Sequence, residues 1–393
     1  MKHLTLNRLA AATALLTAMI VPAHAQQQGV SKDQLLIGTI LDLSGPLAGY
    51  GKDLRNGMNL RIAEVNEQGG VHGRKLALRV EDNGYDPKRA VLAAQKLVNQ
   101  DKVFIMVGML GAASANAAMP TLAQKNVMNF LPMALAKDMY EPVDKLKFAF
   151  VSSYIEQMTR ATPRLYKEKN GTKACTLYQD DDYGQEVMKG AEIGLKSINV
   201  EFTEHTTYKR GATDFSSQVA RLRAANCDFV VLGTVIRETV GAIAESRKLG
   251  YNPTFLTSVG AYSDLIPRLG GKGMDGLYST MVAQVPYEDD ASQPLRFWAN
   301  KYKTAYNESP TVFSTYGYVI IDRLATGLQK NGPNVSTDAL AKTLESLKVP
   351  SDMFGMPAMN WSPTSHLASS EVRLSQLQNG RWKVVLDYDQ MKK

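Results

Sequence analysis

Residues that carry out covalent chemistry leave recognisable spacings, and this chain lacks them. It has no G-x-S-x-G elbow to lift a nucleophilic serine off a strand, no phosphate loop ending in Gly-Lys-Ser/Thr, and no G-x-G-x-x-G after its first strand. Of the 5 histidines, His3 and His24 sit at the extreme N-terminus, while His72, His205 and His366 are far apart and are expected at the surface. Asp180-Asp181-Asp182 has the charge of a divalent-cation site, but three consecutive carboxylates cannot converge on one ion. A turn and helix cap before Tyr183-Gly184 is the expected use, with no metal, no cofactor and no catalytic residue.

What the chain does offer is a set of loops suited to holding a small molecule. Gly108-Met109-Leu110-Gly111-Ala112-Ala113-Ser114-Ala115-Asn116 runs from an apolar strand into a helix, and its small side chains leave backbone N–H groups uncovered. Such a helix start receives a carboxylate through direct hydrogen bonds and the helix dipole, although a tight turn packed by small residues reads the same way. Tyr50, Met133-Ala134-Leu135, Tyr154 and Tyr183 follow other strands or crossings. A tyrosine presents a broad apolar face and a hydrogen-bonding tip, which suits clamping an organic ligand.

These loops need strands and helices to position them. Leu35-Leu36-Ile37-Gly38-Thr39-Ile40-Leu41 is nearly continuous in apolar residues, as parallel strands covered on both faces are. Helices over 53–67, from Asp86-Pro87 onward and over 114–125 alternate with strands over 75–82, 103–107 and 127–131. After Phe148 the alternation restarts, with helices over 157–169, 184–197, 215–225 and 238–249 and strands over 174–178, 200–206, 228–232 and 254–257. The fold class is therefore α/β, with two Rossmann-like lobes whose ligands lie beyond the carboxyl ends of the strands. The tail adds helices over 297–306, 314–330 and 337–347 and a hairpin around Asn379-Gly380.

Composition narrows the setting. Lys2 and Arg8 precede and flank an apolar run ending at Pro22, and Ala23-His24-Ala25 fits a signal peptidase, so residues 1–25 are expected to be a cleaved leader and the mature chain periplasmic. The formal charge of +7 falls to +5 without those two cations, and the basic residues are scattered rather than striped, which argues against nucleic acid. Cys175 and Cys227 each begin a strand; a bridge and a pair of buried thiols are both open.

The order of several segments is recognisable. Leu43-Ser44-Gly45-Pro46 after the opening strand, Asn66-Glu67-x-Gly69-Gly70-Val71-x-Gly73, Asp82 with Asp86-Pro87, Asp182-Tyr183-Gly184 and Asp214-Phe215-Ser216 together make the chain resemble the leucine/isoleucine/valine-binding family of type I periplasmic binding proteins, over roughly Leu35 to Tyr388. The resemblance implies two lobes joined by three hinge crossovers. Residues 30–148 with about 284–352 would form one lobe, and 149–283 with about 353–390 the other. It further implies hinge closure on a small-molecule ligand and delivery to an inner-membrane ABC permease by a monomeric, non-enzymatic component. The same scaffold serves as a sensing subunit for a receptor kinase, which stands as an alternative.

The family's carboxylate site falls on Ala112, Ala113 and Ser114, and its ammonium site on Ala134, Leu135 and Val259. Ala113 stands where the family has a hydroxyl, Leu135 where it has a threonine, and Val259 where it has an acid. The expected ligand is accordingly a hydrophobic or aromatic carboxylate, with Arg237 as counter-charge and with Tyr50, Leu110, Met133, Leu135, Tyr154, Tyr183, Val235 and Val259 as walls; a branched-chain amino acid is the alternative. The family's first-lobe disulfide is absent, its positions falling near Tyr85 and Gly111.

Overall fold

The apolar runs lie where both faces can be covered. In the computed structural model residues 27–391 are described, so the expected leader, 1–25, lies outside the described residues. The first sheet contains β1 (Gln34–Leu41), β2 (Lys75–Asp82), β3 (Ile105–Val107), β4 (Met128–Phe130) and β5 (Lys147–Phe148), all parallel in the order β2-β1-β3-β4-β5. Helices α1 (Ala48–Glu67), α2 (Pro87–Gln95) and α3 (Ala112–Gln124) connect its strands. The Asp86 carboxylate caps α2 by accepting from the Lys88 and Arg89 amides.

The chain then passes into α4 (Tyr154–Glu168) and builds the second sheet from β6 (Ala174–Gln179), β7 (Phe202–Tyr208), β8 (Phe229–Gly233), β9 (Thr254–Thr257) and β10 (Tyr278–Met281). Between them lie α5 (Asp182–Lys196), α6 (Ser216–Ala224), α7 (Ile236–Lys248) and α8 (Leu265–Gly270). The sheet order is β14-β13-β10-β9-β8-β6-β7, with β13 (Arg373–Gln378) and β14 (Arg381–Leu386) forming an antiparallel edge hairpin. Asn379 and Gly380 both take positive φ, 52° and 73°, as a two-residue turn of this hand requires. A disulfide joins Cys175 in β6 to Cys227 just before β8, with 5.9 Å between Cα atoms.

After β10 the chain returns to the first lobe through α9 (Gln293–Tyr306), α10 (Val312–Asn331) and α11 (Thr337–Leu344), then forms a small sheet of β11 (Lys348–Val349) and β12 (Met359–Asn360) before β13. A short helix, α12 (Tyr388–Met391), ends the described chain. The tail does not leave the first lobe at 353. Trp361 packs against Phe130 and Phe148 and donates its indole N–H to Ala149 O at 3.0 Å, and His366 stacks on Phe148 at 4.0 Å. His366 is therefore buried, contrary to the surface position expected: its Nδ1 lies 2.9 Å from both Asp144 O and Lys147 O. His205 is exposed and His72 half-buried.

The start of α1 differs from the sequence-based expectation: it lies at Ala48, five residues earlier, because Asp42 folds back under it and accepts from the Ser44, Gly45 and Leu47 amides. Its neighbour α10 crosses it backbone to backbone: a β-carbon at Gly57 would stand 1.9 Å from Ser314 O, and one at Gly317 2.0 Å from Leu54 O. This close crossing sets Tyr50 against Phe313, stacked with centroids 3.6 Å apart.

Candidate ligand-binding site

The carboxyl ends of the two sheets face one another across a narrow space of about 30 Å³. That is room for one or two waters, so a ligand must enter with the lobes apart. The first lobe lines it with Leu47 and Tyr50 of the α1 start, Leu110, Gly111 and Ala112 of the α3 start, Tyr85, and Phe313 of α10. The second contributes Tyr154, Tyr183, Val235 and Gly260.

The α3 end of this space is electropositive. Gly111 N–H is spent on Met133 O at 3.1 Å, but the amides of Ala112, Ala113 and Ser114 have no acceptor among the described residues. These are the first three N–H groups of the helix, the ones no intrahelical carbonyl reaches. Ser114 is 4% exposed, and its hydroxyl accepts from Asn83 Nδ2 at 2.8 Å, which holds the helix start beside the end of β2.

The remaining wall is aromatic with its polar tips engaged. Tyr50 Oη donates to Gly260 O at 3.2 Å, Tyr183 Oη to Thr234 O at 2.9 Å, and Tyr85 Oη accepts from Gln179 Nε2 at 3.3 Å. Tyr154 meets Tyr183 edge-on at 4.9 Å. Burial pushes the hydroxyl pKa of Tyr50, Tyr154 and Tyr183 up, so all three stay neutral.

Other residues named from the sequence lie behind the wall or outside it. Met133, Ala134 and Leu135 are buried, with Leu135 O accepting from Tyr154 N–H at 2.9 Å. Ala113 and Ser114 follow Ala112 in the first turn of α3 and are not part of the lining. Val259 is buried with its N–H on Thr280 Oγ1, and its neighbour Gly260 lines the space instead. Arg237 is exposed on the outer face of α7 and lines no part of the space, so no cation faces a ligand there. The adjacent residue, Glu238, is turned inward and is 2% exposed. Leu47, Tyr85, Gly260 and Phe313 were not singled out from the sequence as ligand residues; they reach the space only because the fold brings distant segments together.

Contacts across the cleft hold the lobes together. Asn116 Nδ2 donates to Asp182 Oδ2 at 2.8 Å, Lys137 N–H to Glu186 Oε1 at 2.9 Å, and Arg210 Nη1 to Tyr85 O at 3.2 Å. The aspartate run is thereby divided: Asp180 pairs with Lys209, Asp181 caps α5 and pairs with Arg210, and Asp182 reaches the other lobe. No cluster able to hold a metal ion occurs among the described residues. At the outer edge of the cleft a wider groove of about 930 Å³ is lined by Asp53, Asp264, Glu288 and Glu308 among others. Lys52 and Arg268 line it as well and pair with Glu308 and Asp264, so its charge is mixed.

A family model described as periplasmic binding protein matches residues 34–381. The Leu/Ile/Val/Thr-binding protein of Salmonella typhimurium is 27% identical over 301 residues, covering 75% of this chain and 80% of that protein. The Leu/Ile/Val-binding protein of Escherichia coli K12 is 24% identical over 342 residues, covering 86% and 89%. Among solved structures, a fatty acid ABC transporter substrate-binding protein from Thermomonospora curvata aligns with a TM-score of 0.83 at 22% identity, over 92% of this chain and 94% of that one. The branched-chain amino acid transporter substrate-binding protein from Streptococcus pneumoniae, solved with isoleucine, aligns with a TM-score of 0.77 at 20% identity, over 90% and 100%. No helix among the described residues is long and apolar enough to cross a membrane. The chain belongs to the periplasmic binding protein family, as a type I member of its leucine/isoleucine/valine-binding group.

Proposed function

We propose that this chain is the periplasmic substrate-binding component of an ABC importer and that it captures a small apolar carboxylate between its lobes. Members of the family bind small molecules for transport and are not enzymes. The observation that carries the ligand class is the α3 start: its first three N–H groups have no acceptor among the described residues, and its first residue, Ala112, lines a space otherwise walled by apolar and aromatic groups. Such an end binds a carboxylate and selects the rest of the ligand by its lack of polarity. Branched-chain amino acids come first within this class, because the relatives named above bind leucine, isoleucine and valine. A hydrophobic or aromatic acid without an ammonium group is the second reading, favoured by the Tyr50–Phe313 stack and by Val259 in place of an acid.

A thermal-shift panel of leucine, isoleucine, valine, 4-methylpentanoate, benzoate and cinnamate tests the class. A ligand at 100 times its Kd should stabilise the protein by roughly 2.7 kcal/mol. Silence towards every carboxylate in the panel would overturn the proposal.

A further inference from the structure

The surface grooves differ in how their cations are paired. In the outer interlobe groove Lys52 meets Glu308 and Arg268 meets Asp264, and between α1 and α10 Arg61 is held by Glu64 and Asp322. A groove of about 320 Å³ along the outside of α4 is different. Arg160, Arg164 and Lys167 line it, no acidic side chain does, and no ion pair among the described residues involves any of the three.

Helical spacing brings these cations together. Residues at i, i+4 and i+7 share one face of a helix, and this face turns away from the side that buries Met158, Ala161 and Leu165. Arg164 and Lys167 are exposed, while Arg160 is half-buried and donates from Nη1 to Ser370 O at 2.7 Å. That bond fixes the Arg160 guanidinium and leaves its other N–H groups for a further acceptor. Lys167 stands in the last turn, where the helix dipole favours a cation. Arg160 and Arg164 have no such reason, and like charges four residues apart oppose the helix that carries them.

Apolar surface accompanies the charge. Pro163 of α4, Ile198 beyond α5 and Met391 of α12 line the same groove. The two helices meet closely, since a β-carbon at Gly190 or Gly194 would stand 2.6 Å from Ile155 O or Thr159 O, and between these glycines Ile193 is 42% exposed. The neighbouring hydroxyls are already spent: Thr159 Oγ1 donates to Gly190 O at 3.1 Å and Ser197 Oγ to Gly194 O at 2.6 Å. Recognition therefore falls to the guanidinium and ammonium groups, and a guanidinium fork matches the oxygens of a phosphate. A membrane surface, where phosphates border acyl chains, meets both the charge and the apolar side chains.

We propose that the α4 groove is a docking surface for a bilayer of anionic phospholipid, with Arg160, Arg164 and Lys167 on lipid phosphates. The contact is weak and reversible, because each cation near such a surface strengthens binding only about fivefold. It is separate from the cleft and independent of the ligand that the cleft takes. For an importer's binding component, such a hold on the membrane shortens the search for the permease.

The test is co-sedimentation of the mature protein with vesicles of phosphatidylglycerol mixed with phosphatidylcholine, and with vesicles of phosphatidylcholine alone. The wild type should partition onto the anionic vesicles at low salt and leave them near 1 M salt, where the screening length is about 3 Å. Arg164→Gln combined with Lys167→Gln changes two exposed residues and should lower that partition at least tenfold. Lys272→Gln combined with Lys348→Gln removes the same charge from exposed positions outside the groove and should lower it less than threefold. Equal losses in the two double variants would assign the binding to net charge and overturn the proposal. So would equal partition onto both kinds of vesicle, or calorimetric binding of inorganic phosphate that Arg164→Gln abolishes without changing vesicle partition. Wild-type protein that stays in solution with every vesicle overturns it as well and leaves an acidic protein surface as the occupant.

Discussion

The Tyr85 ring lies directly on Gly111: a β-carbon at 111 would stand 2.7 Å from Tyr85 Cε2. Both residues hold left-handed backbones, with φ of 60° at Tyr85 and 96° at Gly111, and Arg210 of the second lobe lies over the ring at 5.2 Å. One contact therefore shapes the carboxylate end of the cleft and ties it to the opposite lobe. Gly111→Ala adds backbone strain of about 1–3 kcal/mol and pushes the ring away. Urea unfolding should show the lower stability, and ligand titration an affinity reduced tenfold or more. An unchanged affinity would mean that Tyr85 does not shape the site.

The Cys175–Cys227 bridge closes a span of 52 residues at the amino ends of β6 and β8, away from the cleft. In the chain-entropy model a loop of that length contributes about 4 kcal/mol, and native bridges commonly deliver 2–4. Replacing both cysteines by alanine should lower unfolding free energy by an amount in that range and leave ligand affinity within twofold. A large affinity loss would show that the bridge positions the cleft as well as the fold.

How far the sequence revealed this molecule depended on the range of the cause. The strands with continuous apolar runs and the caps written into adjacent residues, such as Asp86-Pro87, were legible because the forces act locally. The start of α1 was not, since Leu43-Ser44-Gly45-Pro46 reads as a loop until Asp42 satisfies its amides. Phe313 belongs to the cleft only through a helix crossing at two glycines, Gly57 and Gly317, far apart in the chain. Arg237 was readable: Ile236, Thr239, Ala242 and Ile243 define the buried side of α7 and leave 237 outside. Glu238 breaks that pattern, being a buried charge among apolar neighbours, and no local rule distinguishes it from a solvated first-turn acid.

Asp53, 9% exposed on α1, accepts from Thr311 Oγ1 at 2.9 Å. Burial, with Asp264 and Glu308 nearby, pushes its pKa up to about 7 against the opposing effects of Thr311 and Lys52. An unfolded aspartate titrates near 3.9. The folded value is the higher one, so the stabilising contribution is complete below about pH 4 and is lost as pH rises through 7. Asp53→Asn keeps an acceptor for Thr311 without the charge. Unfolding free energy should rise by about 1–3 kcal/mol at pH 8 and change little at pH 4. An equal effect at both values would assign the change to packing rather than to ionisation.

Glu186 should couple pH to closure. It sits on α5 of the second lobe, yet its Oε1 accepts from Lys137 N–H of the first, and its Oε2 is buried without a partner. Burial pushes its pKa up to about 7; Asp138 and Asp182 act in the same direction, and the Lys137 amide and Lys189 oppose. The hydroxyls of Tyr140 and Tyr154 also feel its charge. With the lobes apart the side chain is exposed to water and should titrate near 4.3. Between those two values the closed form holds a proton that the open form releases, so acid favours closure. Ligand affinity should therefore increase as pH falls from about 8 to 5, by no more than tenfold per pH unit for one proton. Glu186→Gln retains an acceptor for Lys137 and should flatten that slope while raising affinity at pH 8. Titrations of both proteins across this range distinguish the coupling from any other group, because a slope that survives in the variant cannot come from Glu186.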